Sequence, residues 1–352
     1  MSWMIYGANG YTGELAAREA VRRGLTPILA GRNAEPVGRL AQELGLQSRA
    51  FSLGDAQGTA AELYGIKAVL HCAGPFLHTS APMVAACLAT GAHYLDITGE
   101  IPVFEKVLSQ GEAARQAGVA LLPGVGFDVV PSDCLAARLA RALPGATELA
   151  LAFYNEGGGF SRGTLKTMIE SLPHAGAIRK DGRIVPVPVA WDAREIDFGG
   201  RRRWAMTIPW GDVSTAYHST GIPNIRVYSG TPPAAIRRMK RMAPLLPLAG
   251  WGPVKRLAKK WVEKRVTGPS EQMRETGRVY LWGEAKDAAG RKVTSTIETP
   301  EGYRFTAVSA VESVVRVLAG RVQPGAWTPS KAFGADFVTE LPGVVAGEVR
   351  TG

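Results

Sequence analysis

Three glycines at three-residue spacing, Gly7, Gly10 and Gly13, follow a short apolar run at the start of the chain. This spacing is typical of the turn between the first strand and the first helix of a dinucleotide-binding domain. The glycines there permit a tight turn and close approach of a pyrophosphate, which the helix N-terminus attracts. We therefore predict that the pyrophosphate is bound by one turn: Gly7, Asn9, Gly10, Tyr11, Thr12 and Gly13.

The end of the predicted second strand, AGRN at 30–33, indicates which dinucleotide is bound. NAD-specific domains usually carry an Asp or Glu at this point, which holds the ribose 2′-hydroxyl, and no carboxylate stands here. Arg32 is instead a planar, bidentate donor that suits a 2′-phosphate. We predict NADP(H), held at this end by Arg32 and Asn33. The alternative is that Arg32 only faces solvent at the end of the strand.

A second loop, HCAGPF at 71–76, follows the predicted fourth strand. Ligands of doubly wound sheets bind at the carboxyl ends of the strands. We therefore expect four loop residues beside the second ribose and the nicotinamide: Ala73, Gly74, Pro75 and Phe76. After the next strand, Asp96 and Glu100 either position a substrate or cap the helix that follows, and capping is favoured for Glu100.

Reduction by a nicotinamide also requires an acid that supplies the accompanying proton. Tyr217 and His218, in STAYHSTG, offer a phenol and an imidazole, although a hydrogen-bonded structural role or a surface role is the alternative for the histidine. Asp128, in GFDVVPSD, stands where the first domain is predicted to end. It is either a proton donor at the cofactor or a cap of the predicted helix 129–143.

A glycine-rich stretch, GGGFSRGT at 157–164, follows the first predicted strand of the second domain. Ser161, Arg162 and Thr164 carry the donors that a substrate carbonyl or carboxylate would need. The alternative is a structural loop at a helix start, with Ser161 or Thr164 as the N-cap. The residues alone leave both interpretations open.

Other kinds of site lack their required residues. No Tyr is followed four residues later by Lys, as short-chain dehydrogenases and sugar epimerases need, and no G-x-S-x-G elbow occurs. The 3 cysteines and 5 histidines lack the spacing of a metal site, so no metal is expected. The scarce cysteines fit a reducing cytoplasm, and neither a signal peptide nor a spanning helix is predicted.

The first 125 residues alternate short apolar strands with helical patterns, which predicts a doubly wound Rossmann domain with a buried parallel sheet. The predicted strands are 2–6, 26–30, 48–53, 67–73, 92–97 and 118–123. The predicted helices are 12–24, 34–45, 56–64, 79–90 and 103–117. We assign this domain to 1–130 and predict an amphipathic helix at 305–319.

Residues 131–305 are predicted to form an α+β substrate or dimerisation domain with a mixed sheet. A long helix over 129–143 opens it, and a hairpin of 277–286 and 291–298 closes it. Between these lie predicted strands at 148–154, 194–198, 203–208 and 224–229. An exposed edge of this sheet would make a homodimer natural.

The net charge of +10 is unevenly distributed, because residues 201–265 contain 14 basic and 2 acidic residues. From Pro253, one helical face of the segment 244–266 carries Val254, Leu257, Ala258, Trp261 and Val262, and six basic residues are predicted to cover the other. This pattern resembles a helix at a membrane interface, and a packed surface helix is the alternative. Nucleic-acid binding is not expected, because the basic segment has few interleaved aromatic residues.

The chain resembles the saccharopine dehydrogenase-like oxidoreductases, in particular the branch that contains the trans-acting enoyl reductases. The stretches that carry the resemblance are GANGYTG (7–13), AGRN (30–33), CAGPF (72–76), HYLDITGE (93–100), GFDVVPSD (126–133), SRGT (161–164) and TPSKAFGADFV (328–338). Asn9 replaces the Thr that is usual in the branch, and Asn also forms hydrogen bonds within such a turn. The resemblance implies NADP(H) as cofactor, a Rossmann unit completed by the C-terminal tail (residues 306–352), and reduction of C=C or C=N bonds.

Together these observations predict an NADPH-dependent reductase of a C=C or C=N bond in a small or lipid-like molecule. The alternative is a non-catalytic NADP(H)-binding protein at a membrane surface. We expect a small-molecule substrate, a cytoplasmic location with membrane contact through 244–266, and a homodimer.

Overall fold

The computed structural model describes residues 2–171, 176–245 and 251–352. By their backbone contacts these residues form two compact units. The first comprises Met1–Val130 and Tyr303–Phe333, and the second comprises Pro131–Gly302 and Gly334–Gly352.

The first unit contains a parallel seven-stranded sheet in the order β15-β6-β5-β4-β1-β2-β3. Its strands are β1 (Trp3–Tyr6), β2 (Ile28–Gly31), β3 (Ser48–Ala50), β4 (Ala68–His71), β5 (His93–Asp96), β6 (Ala120–Leu122) and β15 (Gly325–Ala326). The strand order reverses beside β1, as in a Rossmann fold. This confirms the predicted fold class of the first domain.

Helices cover both faces of this sheet because successive residues of its strands point to opposite sides. Trp3 and Ile5 of β1 pack on one side, with α1, α2 and the late helix α13. Met4 and Tyr6 pack on the other, with α4, α5 and α6. The helices are α1 (Tyr11–Arg22), α2 (Ala34–Leu44), α3 (Ala56–Glu62), α4 (Phe76–Thr90), α5 (Ile101–Leu108), α6 (Gly111–Gln116), α13 (Gly302–Leu318) and α14 (Pro329–Phe333). The single helix predicted over 103–117 is therefore wrong, since two helices meet at Ser109 and Gln110.

The second unit contains a mixed sheet in the order β10-β11-β12-β7-β13-β14-β16, in which β7 and β12 are parallel. The strands are β7 (Ala146–Glu156), β8 (Ala177–Lys180), β9 (Arg183–Pro186), β10 (Ala193–Asp197), β11 (Arg202–Thr207), β12 (Asn224–Gly230), β13 (Arg278–Asp287), β14 (Lys292–Pro300), β16 (Val345–Ala346) and β17 (Arg350–Thr351). The hairpin β8–β9 was not predicted; β8 joins the sheet through β12.

The helices of the second unit are α7 (Val130–Ala142), α8 (Arg162–Ser171), α9 (Asp212–Thr220), α10 (Pro233–Met242), α11 (Gly252–Arg265) and α12 (Glu271–Thr276), with 3-10 turns at Ala243–Leu245 and Phe337–Glu340. The predicted helix 129–143 thus corresponds to α7. It lies on β13 at Gly283, where a Cβ would be 2.7 Å from Leu139 and 3.1 Å from Leu135. A residue without a side chain is therefore needed for this close approach.

The opposite face of this sheet carries arginines stacked on aromatic rings. The guanidinium of Arg194 lies 4.7 Å from the ring of Trp282, that of Arg201 lies 4.2 Å from Tyr280, and that of Arg203 lies 5.0 Å from Tyr154. These cation–π pairs let charged side chains cover an aromatic surface.

The C-terminal tail differs from the expectation that 306–352 as a whole completes the Rossmann domain. Residues 303–333 do so, through α13 and β15. Residues 334–352 instead pack in the second unit, where β16 and β17 pair with β14. The physical reason is that β14 offers the tail a free edge beyond its hairpin with β13.

Among the residues that the structure describes, no helix is both long enough and apolar enough to cross a membrane.

Candidate functional site

The first glycine turn is built by bonds between neighbouring strands. The amides of Gly7 and Ala8 both donate to the carbonyl oxygen of Ala30, at 2.7 and 3.0 Å, which ties the turn to the end of β2. Gly7 has φ +83°, and a Cβ there would lie 2.8 Å from the Cβ of Ala73. Only glycine meets both requirements without strain.

The other two glycines set the start of α1. A Cβ on Gly13 would collide with the carbonyl oxygen of Gly7, so glycine lets the helix approach the strand. Gly10 is the N-cap of α1 and provides no side-chain hydrogen bond to it. No side chain of the N-cap residue therefore competes with a ligand for the first-turn amides, as is typical of an anion-binding helix start. Tyr11, in this turn, packs edge-on against Tyr303, with ring centroids 4.9 Å apart.

The end of β2 leaves room for an adenosine ribose. Arg32 and Asn33 are exposed, and Asn33 is the N-cap of α2 without a side-chain cap bond. A Cβ on Gly31 would lie 3.0 Å from the Oδ1 of Asn9, so the Asn9 side chain reaches this end of the sheet. The predicted residues of the pyrophosphate turn and of the 2′-phosphate site therefore stand at the same edge.

Sequence reasoning missed a second arginine near this end. A shallow cavity of about 230 Å³ is lined by Asn9, Glu14, Pro36, Arg39, Leu40 and Glu43. Arg39 lies on α2 and binds Glu35 at 3.2 Å. The available signal was its position seven residues after Arg32, in the second turn of the following helix.

The predicted nicotinamide loop follows β4 and contacts the glycine turn. The amide of Cys72 donates to the carbonyl of Tyr6 at 2.7 Å, and Ala73 faces Gly7. The hydroxyl of Thr79 donates to the carbonyl of Ala73 at 2.7 Å, which fixes the loop. Gly74, Pro75 and Phe76 complete the bend into α4, with a cis peptide between Gly74 and Pro75. At the edge of the sheet where the strands end, the loop therefore presents backbone groups and one face of its turn to a bound cofactor.

Glu100 caps a helix, but not the one expected from the sequence. Its carboxylate accepts hydrogen bonds from the amides of Phe76 and Leu77, both at 2.8 Å, at the start of α4. It makes no side-chain cap bond to α5, which it precedes. The N-terminus of α4 is thus already neutralised by a carboxylate.

Asp96 has a structural role at the end of β5. It is fully buried and accepts hydrogen bonds from the hydroxyl of Tyr94 at 2.6 Å and from the amides of Thr98 and Gly124 at 2.9 and 2.8 Å. Burial raises its pKa to about 6, although these hydrogen bonds lower it. Asp96 therefore joins the ends of β5 and β6.

Asp128 lies on the same edge of the first unit, two residues before α7. Its carboxylate is close to the turn after β5, since a Cβ on Gly99 would be 2.8 Å from its Oδ2. Burial raises the pKa of Asp128 to about 7. This shift favours the protonated carboxyl group, which can donate a proton.

Tyr217 and His218 lie on α9 of the second unit, where Tyr217 is packed. The guanidinium of the buried Arg179 stands 4.3 Å from the centre of its ring. Arg179 also donates to the carbonyls of Val213 and Gly182, at 2.8 and 2.7 Å. The ring of Tyr217 is therefore held by packing, whereas His218 is exposed.

Ser161 and Thr164 form a helix cap. The Oγ of Ser161, which is buried, accepts from the amide of Thr164 at 3.2 Å and lies 3.2 Å from its hydroxyl. Arg162 donates to the carbonyl of Val266. The structure thus favours the N-cap interpretation over a substrate site for these residues.

A parallel doubly wound sheet, a glycine turn that leads into an uncapped helix, and an arginine past the second strand define a nicotinamide dinucleotide-binding domain. Comparison with known proteins shows which kind of dinucleotide-binding domain this chain resembles. Residues 3–122 match the family model of the saccharopine dehydrogenase NADP-binding domain. The predicted cofactor class is therefore confirmed.

Relatives match nearly the whole chain. A trans-acting enoyl reductase of Mycobacterium tuberculosis is 25% identical over 420 residues, covering 99% of this chain and 97% of that protein. A saccharopine dehydrogenase-like oxidoreductase of Rattus norvegicus is 27% identical over 232 residues, covering 58% of this chain and 53% of that protein. An apo saccharopine dehydrogenase of Saccharomyces cerevisiae has the same fold, with a TM-score of 0.64, 12% identity, and coverage of 100% and 99%. The predicted resemblance to the saccharopine dehydrogenase-like oxidoreductases is confirmed, and the chain is an NADP-dependent oxidoreductase.

Proposed function

We propose that this protein uses NADPH to reduce a polarised double bond in a small or lipid-like substrate, with an enoyl C=C bond favoured over a C=N bond. The relatives named enoyl reductases support the C=C bond. The observation that carries the proposal is the position of Asp128. A carboxyl group with a pKa of about 7 lies at the strand edge where the nicotinamide of such domains binds.

Different residues of the chain have different roles in this reaction. NADPH, when bound, supplies the hydride. The amides at the start of α1 hold the pyrophosphate, and Arg32 holds the 2′-phosphate. The loop Ala73–Phe76 supports the nicotinamide side. Asp128 donates its proton to the substrate atom that gains negative charge when the other carbon of the double bond accepts hydride, and a proton from water restores the acid.

The test is anaerobic mixing of the protein and NADPH with α,β-unsaturated acyl thioesters of increasing chain length, or with cyclic imines, followed at 340 nm. We expect oxidation of NADPH with the thioesters and dependence of the rate on chain length. Reaction with imines alone would move the proposal to C=N reduction. A protein that binds NADPH but reacts with neither class would contradict reduction of these bonds.

The second candidate function is a non-catalytic NADP(H)-binding protein at a membrane surface. It is favoured by the stacking of Arg179 on the ring of Tyr217 and by the helix-capping bond of Ser161, which give these two residues structural roles. Asp128 discriminates between the two functions, because a binding protein needs no proton donor. Equal NADPH affinity in the native protein and in Asp128→Asn, together with no turnover by either, would support this second candidate.

We also propose a cytoplasmic homodimer that forms through the second sheet. In the described part of the chain, β10 pairs with β11 alone, so one side of β10 offers unpaired backbone groups. Light scattering after size-exclusion chromatography would measure the mass. A particle of 37.4 kDa at micromolar concentration would contradict the dimer.

A further inference from the structure

Two helices of the second unit are joined side by side through polar links. Along α8, Arg162 donates to the carbonyl of Val266, Lys166 binds Glu263 at 2.6 Å, and Glu170 binds Lys255 at 2.9 Å and also Lys259. Residues from the start to the end of α8 contact, in order, residues from the end to the start of α11. The two helices are therefore antiparallel. We call this element the α8–α11 pair.

These links correct the expected distribution of charge on α11. Lys255 and Lys259 point inward to Glu170, and their side chains are only 22% and 31% exposed. They therefore do not belong to an outer basic face. Four basic residues of α11 are exposed: Arg256, Lys260, Lys264 and Arg265.

On the outer side of the α8–α11 pair, large apolar side chains are exposed to solvent. Leu257 is 72% exposed, Trp261 is 61% exposed and Trp251, at the start of α11, is 68% exposed. Val254, Leu257 and Trp261 are spaced i, i+3 and i+7, so they form one stripe along α11. A shallow apolar groove of about 410 Å³ continues the stripe onto α8, lined by Leu165, Met168, Ile169, Ala258, Trp261 and Val262.

Such a stripe marks an interaction site, since soluble surfaces seldom expose adjacent aromatic and aliphatic residues. Its charge selects the partner. On α11, Lys260 and Lys264 flank the stripe, while the acidic Glu263 is already bound by Lys166. A second copy of this face would bring like charges together, whereas an anionic lipid surface offers both apolar depth and opposite charge.

We propose that the outer face of the α8–α11 pair is a docking surface for an anionic lipid membrane. Val254, Leu257 and Trp261 enter the interface between head groups and acyl chains. Lys260 and Lys264 contact the anionic head groups. The inner lysines hold the helix pair together and do not contact lipid. This inference is independent of the reductase proposal, because neither the cofactor nor turnover enters it.

The experiment is flotation of the full chain with phosphatidylcholine vesicles, with and without 30% phosphatidylserine. We expect flotation with the anionic vesicles and little with the neutral ones. Leu257→Ser with Trp261→Ser, and separately Lys260→Glu with Lys264→Glu, should each lower the bound fraction roughly tenfold or more. The matched control is Lys286→Glu with Lys292→Glu, which makes the same change of charge at exposed positions of the β13–β14 hairpin.

Each variant is first checked by circular dichroism and NADPH binding, so that unfolding is not read as loss of docking. If the control double variant loses membrane binding as strongly as Lys260→Glu with Lys264→Glu does, the proposal is wrong and binding depends on net charge alone. Failure of the native protein to float with anionic vesicles would also overturn it. A fall in oligomer mass caused by the Leu257 and Trp261 substitutions would assign the face to a second copy instead.

Discussion

Two carboxyl groups at one edge of the first unit show how surroundings set the role of a residue. Asp96 accepts three hydrogen bonds from Tyr94, Thr98 and Gly124, and these bind the ends of two strands together. Asp128 lies beside Gly99, and burial raises its pKa to about 7. The first is committed to structure, whereas the second has the protonation state that a proton donor needs.

Replacement of Asp128 by Asn should lower kcat for double-bond reduction by roughly 10²–10⁴-fold, because the amide cannot supply the proton. In the native protein, kcat should fall as the pH rises above about 7, since the acid is then ionised. The variant should lose this pH dependence and keep its affinity for NADPH. Steady-state rates between pH 5.5 and 9 measure both effects, and Glu112→Gln, at an exposed surface position, is the control.

The same pKa shift makes a prediction about stability that does not depend on turnover. The folded-state pKa of Asp128 is raised above that of the unfolded chain, so its protonated form favours folding. The stability of the native protein relative to Asp128→Asn should therefore decline as the pH rises from about 4 to about 7, and then level off. A difference in unfolding free energy that stays constant over this range would contradict the burial of the carboxyl group.

Substitution of Arg32 by Asp should weaken NADPH binding by at least about tenfold and leave NADH binding unchanged or improved, because a carboxylate repels a 2′-phosphate and accepts from a 2′-hydroxyl. Titration by protein fluorescence gives both affinities. Arg39→Ala tests whether the neighbouring arginine of α2 shares the phosphate. Arg115→Asp, on α6, controls for the change of net charge, and unchanged NADPH preference in Arg32→Asp would place the phosphate elsewhere.

At the scale of elements, two glycines of the glycine turn are expected to affect different properties. Gly10 is needed for cofactor binding, and Gly13 is needed for the stability of the fold. Gly10 has open space around its Cβ position except for the Gly7 carbonyl oxygen at 3.2 Å, so Gly10→Val should fold and fail to bind NADPH. Gly13→Ala should instead destabilise the fold by about 1–3 kcal/mol, since its methyl group collides with the carbonyl of Gly7. Thermal unfolding and NADPH titration of both variants measure these outcomes.

Gly38→Ala is the matched control, because this helical glycine of α2 has nothing within 4 Å of its Cβ position. It should stabilise the protein slightly, as alanine favours a helix. Binding of NADPH by a folded Gly10→Val variant would show that the pyrophosphate lies away from the turn.

The glycine turn and the parallel sheet could be predicted because their determinants are local. Three glycines and short apolar strands specify the path of the chain within about 30 residues. The environment of α11 could not be predicted in this way. Lys255 and Lys259 appear basic and exposed in the sequence, yet their partner Glu170 lies 85 and 89 residues away. Glu100 shows the same limit, since the helix it caps begins 24 residues earlier.

At the scale of the whole molecule, the two parts of the C-terminal region belong to different units. Removal of residues 344–352 should leave NADPH binding unchanged and lower the stability of the second unit by about 2 kcal/mol. The truncation removes the strand pairing along β14, including the bond from the Gly347 amide to the Thr296 carbonyl at 2.8 Å. Calorimetry and cofactor titration give the two quantities, and lost cofactor binding with unchanged unfolding would contradict the assignment.

The tail also marks the limit of sequence reasoning for the whole molecule. The amphipathic helix at 305–319 was predicted because its period is clear over four turns, and α13 is found there. Strands of two residues, such as β16 and β17, carry no periodic signal. Their location depends on which strand edge remains open after the larger sheet has formed.

The return of α13 and β15 to the first sheet has a consequence for biosynthesis. A ribosome releases residues 1–130 before it has made α13, whose Ser309 hydroxyl donates to the carbonyl of Val125 just after β6. During that interval the part of the nascent sheet that α13 later covers stays open. Folding of the first unit is therefore completed only after α13 and β15 have been made, and the shorter polypeptide should bind chaperones until then.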